Sequence, residues 1–317
     1  MAQHGIIFFY DSYFYLGRFA VFLFFLTSGF VIPWSLNKST EKPLTRFAIS
    51  RFFRLYPLYW FSLIAAIFVG GYGVLDQPTT TEVVANITML QKFIGFESVI
   101  GLYWTLQIEV VFYILCALLF SLKLLNHRLT CLAMCASCLI IALAVGWLKA
   151  YENITLPVTF PLALFSMFFG AEIRKVIIDQ DKTAQRNVKA ITLIAVILLP
   201  GIIYLNYGEA WISYTTAYVG AHLVFMAMIS ICRIENSLFS YLGKISYSIY
   251  LTHCFVVYNY FHLGGKELYS TIGLPGTLSI LFIATIALSH CTYKFIEEPF
   301  IRIGKNKAKK TIMLPAL

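Results

Sequence analysis

Apolar residues run along this chain in long blocks broken by short polar segments, neither alternating nor keeping to one helical face. A block of roughly 17–25 apolar residues makes a helix long enough to cross a bilayer. Blocks near that length cover 14–34, 57–72, 103–122, 129–148, 157–173, 190–205, 211–231, 245–262 and 275–295, which predicts nine full spans. Residues 1–10 are as apolar but too few, and read as the outer end of a first helix whose inner part would precede Met1. Residues 73–102, with Asp76, Glu82 and Glu97, read as a polar loop. The expected fold is all-α: one polytopic transmembrane helical bundle over 1–317, nine spans plus a truncated first helix, ending in a basic tail at 303–317.

Charge gives the bundle a direction. Of the 24 Lys and Arg, all but Arg18, Lys92, Lys149 and Lys266 fall in alternate segments between spans. Basic segments stay on the cytoplasmic side, so the stretch around Arg46–Arg54 and the C-terminal tail should lie inside, and 73–102 outside. The chain is 59% hydrophobic and 12% charged, with mean hydropathy +0.77, where soluble domains carry about 25% charged residues. An ordinary soluble domain is excluded. A net charge of +9 would suit nucleic acid if it were gathered on one face. Spread between spans, it reads as a topology signal and as contact with anionic membrane lipid, with no nucleic-acid partner. The place for such a chain is a cytoplasmic membrane, crossed many times.

Ionisable groups inside spans are costly and mark candidate sites. Glu109 lies in Tyr103-Trp104-Thr105-Leu-Gln-Ile-Glu109-Val-Val-Phe-Tyr113, where helical spacing puts Thr105, Glu109 and Tyr113 on one face. His253 follows Ser246 and Tyr250 at the same spacing. His222 and His290 stand without neighbouring motifs and read as structural. The stretch Arg46-Phe-Ala-Ile-Ser-Arg51-Phe-Phe-Arg54-Leu-Tyr-Pro57 offers an anion site at a membrane boundary, with a new helix expected from Pro57. Glu297-Glu298-Pro299 closes the last span, where either carboxylate is placed to pair with Arg51 or Arg54, or the pair simply ends the helix before proline. Ser28-Gly29 points to close helix packing. Cys131, Cys135 and Cys138 share one helix face and read as small packing residues, with no metal site. His4 is a candidate base by residue type, since a neutral imidazole takes protons near neutral pH.

Five of these segments, in this order, resemble the integral-membrane acyltransferase type 3 family, bacterial O-acetylases of envelope glycans. Gly17 to Ile32 looks like its GxxxVxxFFxxSGF helix, Arg46 to Pro57 like FxxxRxxRLYP, and Trp104 to Tyr113 like WTLxxExxFY. Gly243 to His253 looks like GxxSYSxYLxH, and Tyr293 to Pro299 like the closing ExP element. His4 stands 13 residues before Gly17, where the family has its catalytic histidine in an Arg-x10-His pattern; that arginine would precede Met1, and Arg18 departs from the family pattern.

The resemblance implies a ten-span plan. It also implies transfer of an acyl group, acetyl first, from cytoplasmic acyl-CoA to a hydroxyl of an outward-facing saccharide, with acetyl-CoA as co-substrate. On that reading Arg51 and Arg54 hold the CoA phosphates, His4 is the base, and Glu109 orients it. Tyr103 and Trp104 stack on the sugar, and Tyr250 and His253 line the acyl channel. The alternatives are a flippase for a lipid-linked saccharide, with Glu109 and His253 relaying protons, or an inactive truncated member.

Overall fold

The computed structural model describes residues 14–36, 41–71, 77–231 and 236–313, and His4 lies outside them. Among the described residues there is helix and turn and no strand. The α-helices are α1 (Leu16–Val31), α2 (Pro43–Gly71), α3 (Thr80–Ile87), α4 (Trp104–Ser121), α5 (Thr130–Glu152) and α6 (Thr159–Ile177). They continue as α7 (Lys182–Tyr207), α8 (Trp211–Ser230), α9 (Ser237–His262), α10 (Gly265–Thr292) and α11 (Glu298–Met313). Six stretches are long and apolar enough to cross a membrane, one of them, Lys182–Ser230, holding both α7 and α8. Large apolar side chains stand exposed along these helices, among them Phe68, Val196, Ile197, Leu223, Phe282 and Ile283. Such a surface suits hydrocarbon rather than water.

The chain forms two compact units, Met1–Lys38 with Ile108–Ile234, and Ser39–Gln107 with Glu235–Leu317. In the first, α1 packs on α6 and α8, and α5 on α6 and α7. Two glycines let α1 and α6 touch backbone to backbone. A Cβ on Gly29 would stand 1.8 Å from the Met167 carbonyl oxygen, and one on Gly170 2.2 Å from that of Leu26. This is the close approach expected from Ser28-Gly29, and it is how helices gain contact where lipid offers no hydrophobic drive. Cys131, Cys135 and Cys138 are buried along α5, as packing residues would be.

In the second unit α2 packs on α11 and α9 on α10. Two expectations need correction here. The first concerns Pro57, where no helix starts. Pro43 takes the first helical position and α2 runs unbroken through Pro57 to Gly71. A proline removes one backbone donor, which a helix packed among others tolerates inside a membrane. The second concerns 77–102, which is ordered. Thr79 and Glu82 form a reciprocal capping box at the start of α3. At its other end, three side chains of α2 donate to backbone carbonyls: Tyr59 Oη to Asn86 O (2.7 Å), Trp60 Nε1 to Ile87 O (3.0 Å) and Tyr56 Oη to Thr88 O (3.0 Å). Buried Asn86 ties down the segment beyond α3, donating to Glu97 O and accepting from Val99 N. Within α10, Gly273 at φ 68°, ψ −175° breaks the helix, a conformation open to glycine alone, and Pro275 sits just inside the resumed run.

Candidate active site

The tandem glutamates after α10 are separated by a change of helical pitch. Residues Tyr293–Glu297 form one π turn, after which α11 begins at Glu298. Glu298 points outward and pairs with Arg302 one turn on (2.8 Å). Glu297 turns inward, its side chain fully enclosed, with Oε1 3.2 Å from Arg54 Nη1 of α2. Its other oxygen accepts from Ser248 Oγ of α9 at 2.7 Å. Of the two arginines offered by the sequence, Arg54 is therefore the partner of Glu297. Arg51, one turn earlier, lies over the Phe47 ring at 5.4 Å. An enclosed carboxylate is tolerable only with a cation and further donors around it, and here it has both.

A second polar set links α9 to the start of α4. Tyr250 Oη donates to Leu102 O (2.8 Å) and meets Thr105 Oγ1 at 2.5 Å. Tyr103, fully enclosed, shares a hydrogen bond with Ser62 Oγ (2.9 Å) and meets the Tyr59 ring edge-on at 4.7 Å. Trp104 is half-buried. His253 Nδ1 lies 2.7 Å from the Tyr250 carbonyl oxygen. A carbonyl only accepts, so Nδ1 carries the proton and Nε2 keeps its lone pair in the neutral ring. Cys254 Sγ lies 3.5 Å from that nitrogen. The stripe read from Ser246 through Tyr250 to His253 is only partly of a piece. Ser246 is exposed and bonds its own helix, while the serine turned into the protein is Ser248.

Glu109 is buried in α4, where Tyr113 Oη donates to its Oε1 at 2.5 Å. The i,i+4 pairing expected from spacing is thus present on the Tyr113 side, while Thr105 turns to Tyr250. No described residue speaks to the pairing of Glu109 with His4.

One buried ionic group was not singled out from the sequence. Glu172, enclosed near the end of α6, lies 3.0 Å from Lys175 Nζ and accepts from Asn187 Nδ2 at 2.6 Å. Asn187 also donates to Arg128 O (2.6 Å), tying α7 to the turn before α5. The signal was a glutamate three residues before a lysine at a helix end. Arg18 rests over Tyr214 (5.6 Å) and donates to Thr159 Oγ1 (3.3 Å). His222 sits between Phe165 and Phe169 with Nδ1 on the Tyr218 carbonyl, the structural place expected of it.

The acyltransferase-domain family matches this chain over residues 2–294. A protein of Acidianus two-tailed virus named "Putative acetyltransferase ORF330" is 22% identical over 281 residues, spanning 87% of this chain and 82% of that one. No solved structure matches the chain.

Proposed function

The chain belongs to the acyltransferase family, and from that premise we propose that it moves an acetyl group from cytoplasmic acetyl-CoA to a hydroxyl of an outward-facing cell-envelope saccharide. The family carries the reaction class. The observation that carries the mechanism is Glu109, a carboxylate enclosed within an apolar helix and held at one oxygen by Tyr113. A group that costly to bury is kept for work.

In this reading His4 takes the acceptor hydroxyl proton as its oxygen attacks the thioester carbonyl. The carbon–sulfur bond then breaks and CoA leaves as a thiolate, which the proton neutralises. Glu109 orients His4 and stabilises its imidazolium, as a buried carboxylate does for the base of a serine protease. Arg51 and Arg54 take donor phosphates. Arg54 is suited to this because Glu297 fixes it while its side chain stays 36% exposed. Tyr250 and His253 line the acyl path, and the Nε2 lone pair of His253 faces away from its backbone bond. Trp104 offers its indole to the sugar, with enclosed Tyr103 bracing the start of α4.

The proposed setting is a bacterial cytoplasmic membrane, crossed by nine full spans, with the C-terminus inside and anionic lipid against the basic segments. The charged end of α6 (Glu172, Arg174, Lys175) and the Ser- and Tyr-rich α9 are less apolar than the other spans, yet both are long enough to cross.

The test is incorporation of labelled acetyl from acetyl-CoA into envelope glycan by cells making the chain, its His4→Ala variant or its Glu109→Gln variant. Label that needs both residues supports the reading. Absence of label in every case removes acetyl transfer, and label that survives His4→Ala removes the proposed base.

A further inference from the structure

A cavity of about 700 Å³ opens in the first unit between the end of α6, the first two turns of α7 and the end of α8. Its polar lining is Lys182, Arg186, Lys189, Gln180, Gln185 and Ser230, and its apolar wall is Val176, Ile177 and Ile229. Among the described residues, no carboxylate lines it. The three cations stand at i, i+4 and i+7 of α7, so the helix presents them along one face. Among the described residues no Asp or Glu lies within ion-pairing distance of any of them. Asp181, beside Lys182, is engaged elsewhere, its Oδ1 accepting from the Thr183 and Ala184 backbone as the cap of α7.

Basic residues that only set topology need lie in the right segment and nothing more. These three also converge on one cavity, whose size falls in the usual range of roughly 300–1,000 Å³ for ligand sites. Three uncompensated cations with donor amides beside an apolar wall fit clustered phosphates attached to an apolar body.

We infer that this cavity binds a ligand presenting two or more neighbouring phosphates, supplied either by the nucleotide end of the acyl donor or by the headgroup of an anionic phospholipid. The nucleotide source rests on the acetyl-CoA donor proposed above, and would place its nucleotide phosphates here rather than at Arg51 and Arg54. The anion site itself does not.

The probes are adenosine 3′,5′-bisphosphate, the phosphorylated end of CoA, and cardiolipin, added to the purified full chain in neutral detergent and in phosphatidylcholine nanodiscs respectively. Binding is measured directly against salt, for the wild type and for K182Q/R186Q/K189Q. These positions are exposed, so the triple variant should fold, and the three single variants stand in if it does not. A K123Q/R128Q variant controls for loss of charge elsewhere. Neutralising all three exposed cations should weaken binding of one probe about tenfold, and each single change about twofold, with little effect in the control. Selective loss of the bisphosphate assigns the cavity to the donor, and a raised KM for acetyl-CoA should accompany it. Selective loss of cardiolipin assigns it to lipid, with KM unchanged. The inference is overturned if neither probe binds the wild type, or if both bind the triple variant as tightly. Loss of cardiolipin binding in a chain that transfers no acetyl would sink the donor reading alone.

Discussion

Glu297 and Glu172 are both enclosed carboxylates, one in each unit, and they are solved alike. Each has a cation at about 3 Å and one neutral donor, Arg54 with Ser248 for the first and Lys175 with Asn187 for the second. Both have cationic partners that are partly exposed, Arg54 and Lys175, whose long side chains reach in from the surface. Glu109 differs in company: its described bond comes from a phenol. A carboxylate paired with a guanidinium or ammonium is held in one position. One held by a hydroxyl can turn to a second group or answer a change of charge beside it. The contrast sets two carboxylates with described cationic partners apart from Glu109, for which a catalytic role is proposed.

The sharpest way to break this comparison is to remove one side of an ion pair. Arg54→Ala should cost about 3–5 kcal/mol, because it strands Glu297 fully buried. Glu297→Ala should cost less, about 1–2 kcal/mol, since Arg54 reaches solvent. The double variant should recover part of the larger loss. Unfolding of the purified protein in detergent reads all three, and an Arg54→Ala no worse than Glu297→Ala would refute the asymmetry.

Next comes Gly170→Ala, whose new Cβ meets backbone rather than a movable side chain. It should cost about 2–3 kcal/mol, read by the same unfolding. Glu109→Gln, by contrast, should leave the melting temperature within a few degrees while cutting acetyl transfer about a hundredfold or more. A variant that unfolds without losing specific activity would place Glu109 with the other two.

The smallest effect lies outside the spans. The Thr79 backbone and side chain hold the Glu82 carboxyl below its usual range. A depressed carboxylate contributes stability above its unfolded pKa, roughly 4.3, and loses it as pH falls through the lower folded value. Protection of the amides at the start of α3, taken relative to their intrinsic exchange rates, should therefore fall only below about pH 4.5. Thr79→Ala should quicken their exchange about fivefold at neutral pH.

Much of the bundle was legible because hydrocarbon imposes a local rule. Each spanning helix must bring its own apolar length and satisfy its own backbone, so block lengths placed the helices. Helical spacing also yielded the Glu109–Tyr113 bond, and residue size the contact at Gly29. Other features depend on segments far apart in sequence. Pro57 looked like a helix start because proline is read locally, but packing carried α2 through it. The serine that meets Glu297 is Ser248 rather than Ser246, because the turn of α9 against the π turn decides which hydroxyl faces inward. Asn86 orders a stretch that is polar enough to pass for a loop.

What the sequence by itself determined is the class of molecule, its helices, the charge asymmetry and the acidic and histidine residues worth testing, all set by composition and short-range spacing. Only the tertiary structure decided that Arg54 rather than Arg51 takes Glu297, that Glu172 is held from both sides, and that Lys182, Arg186 and Lys189 line one cavity. The physical reason is that pairing and compensation of charge depend on distances across helices, and those distances arise only when separate helices pack.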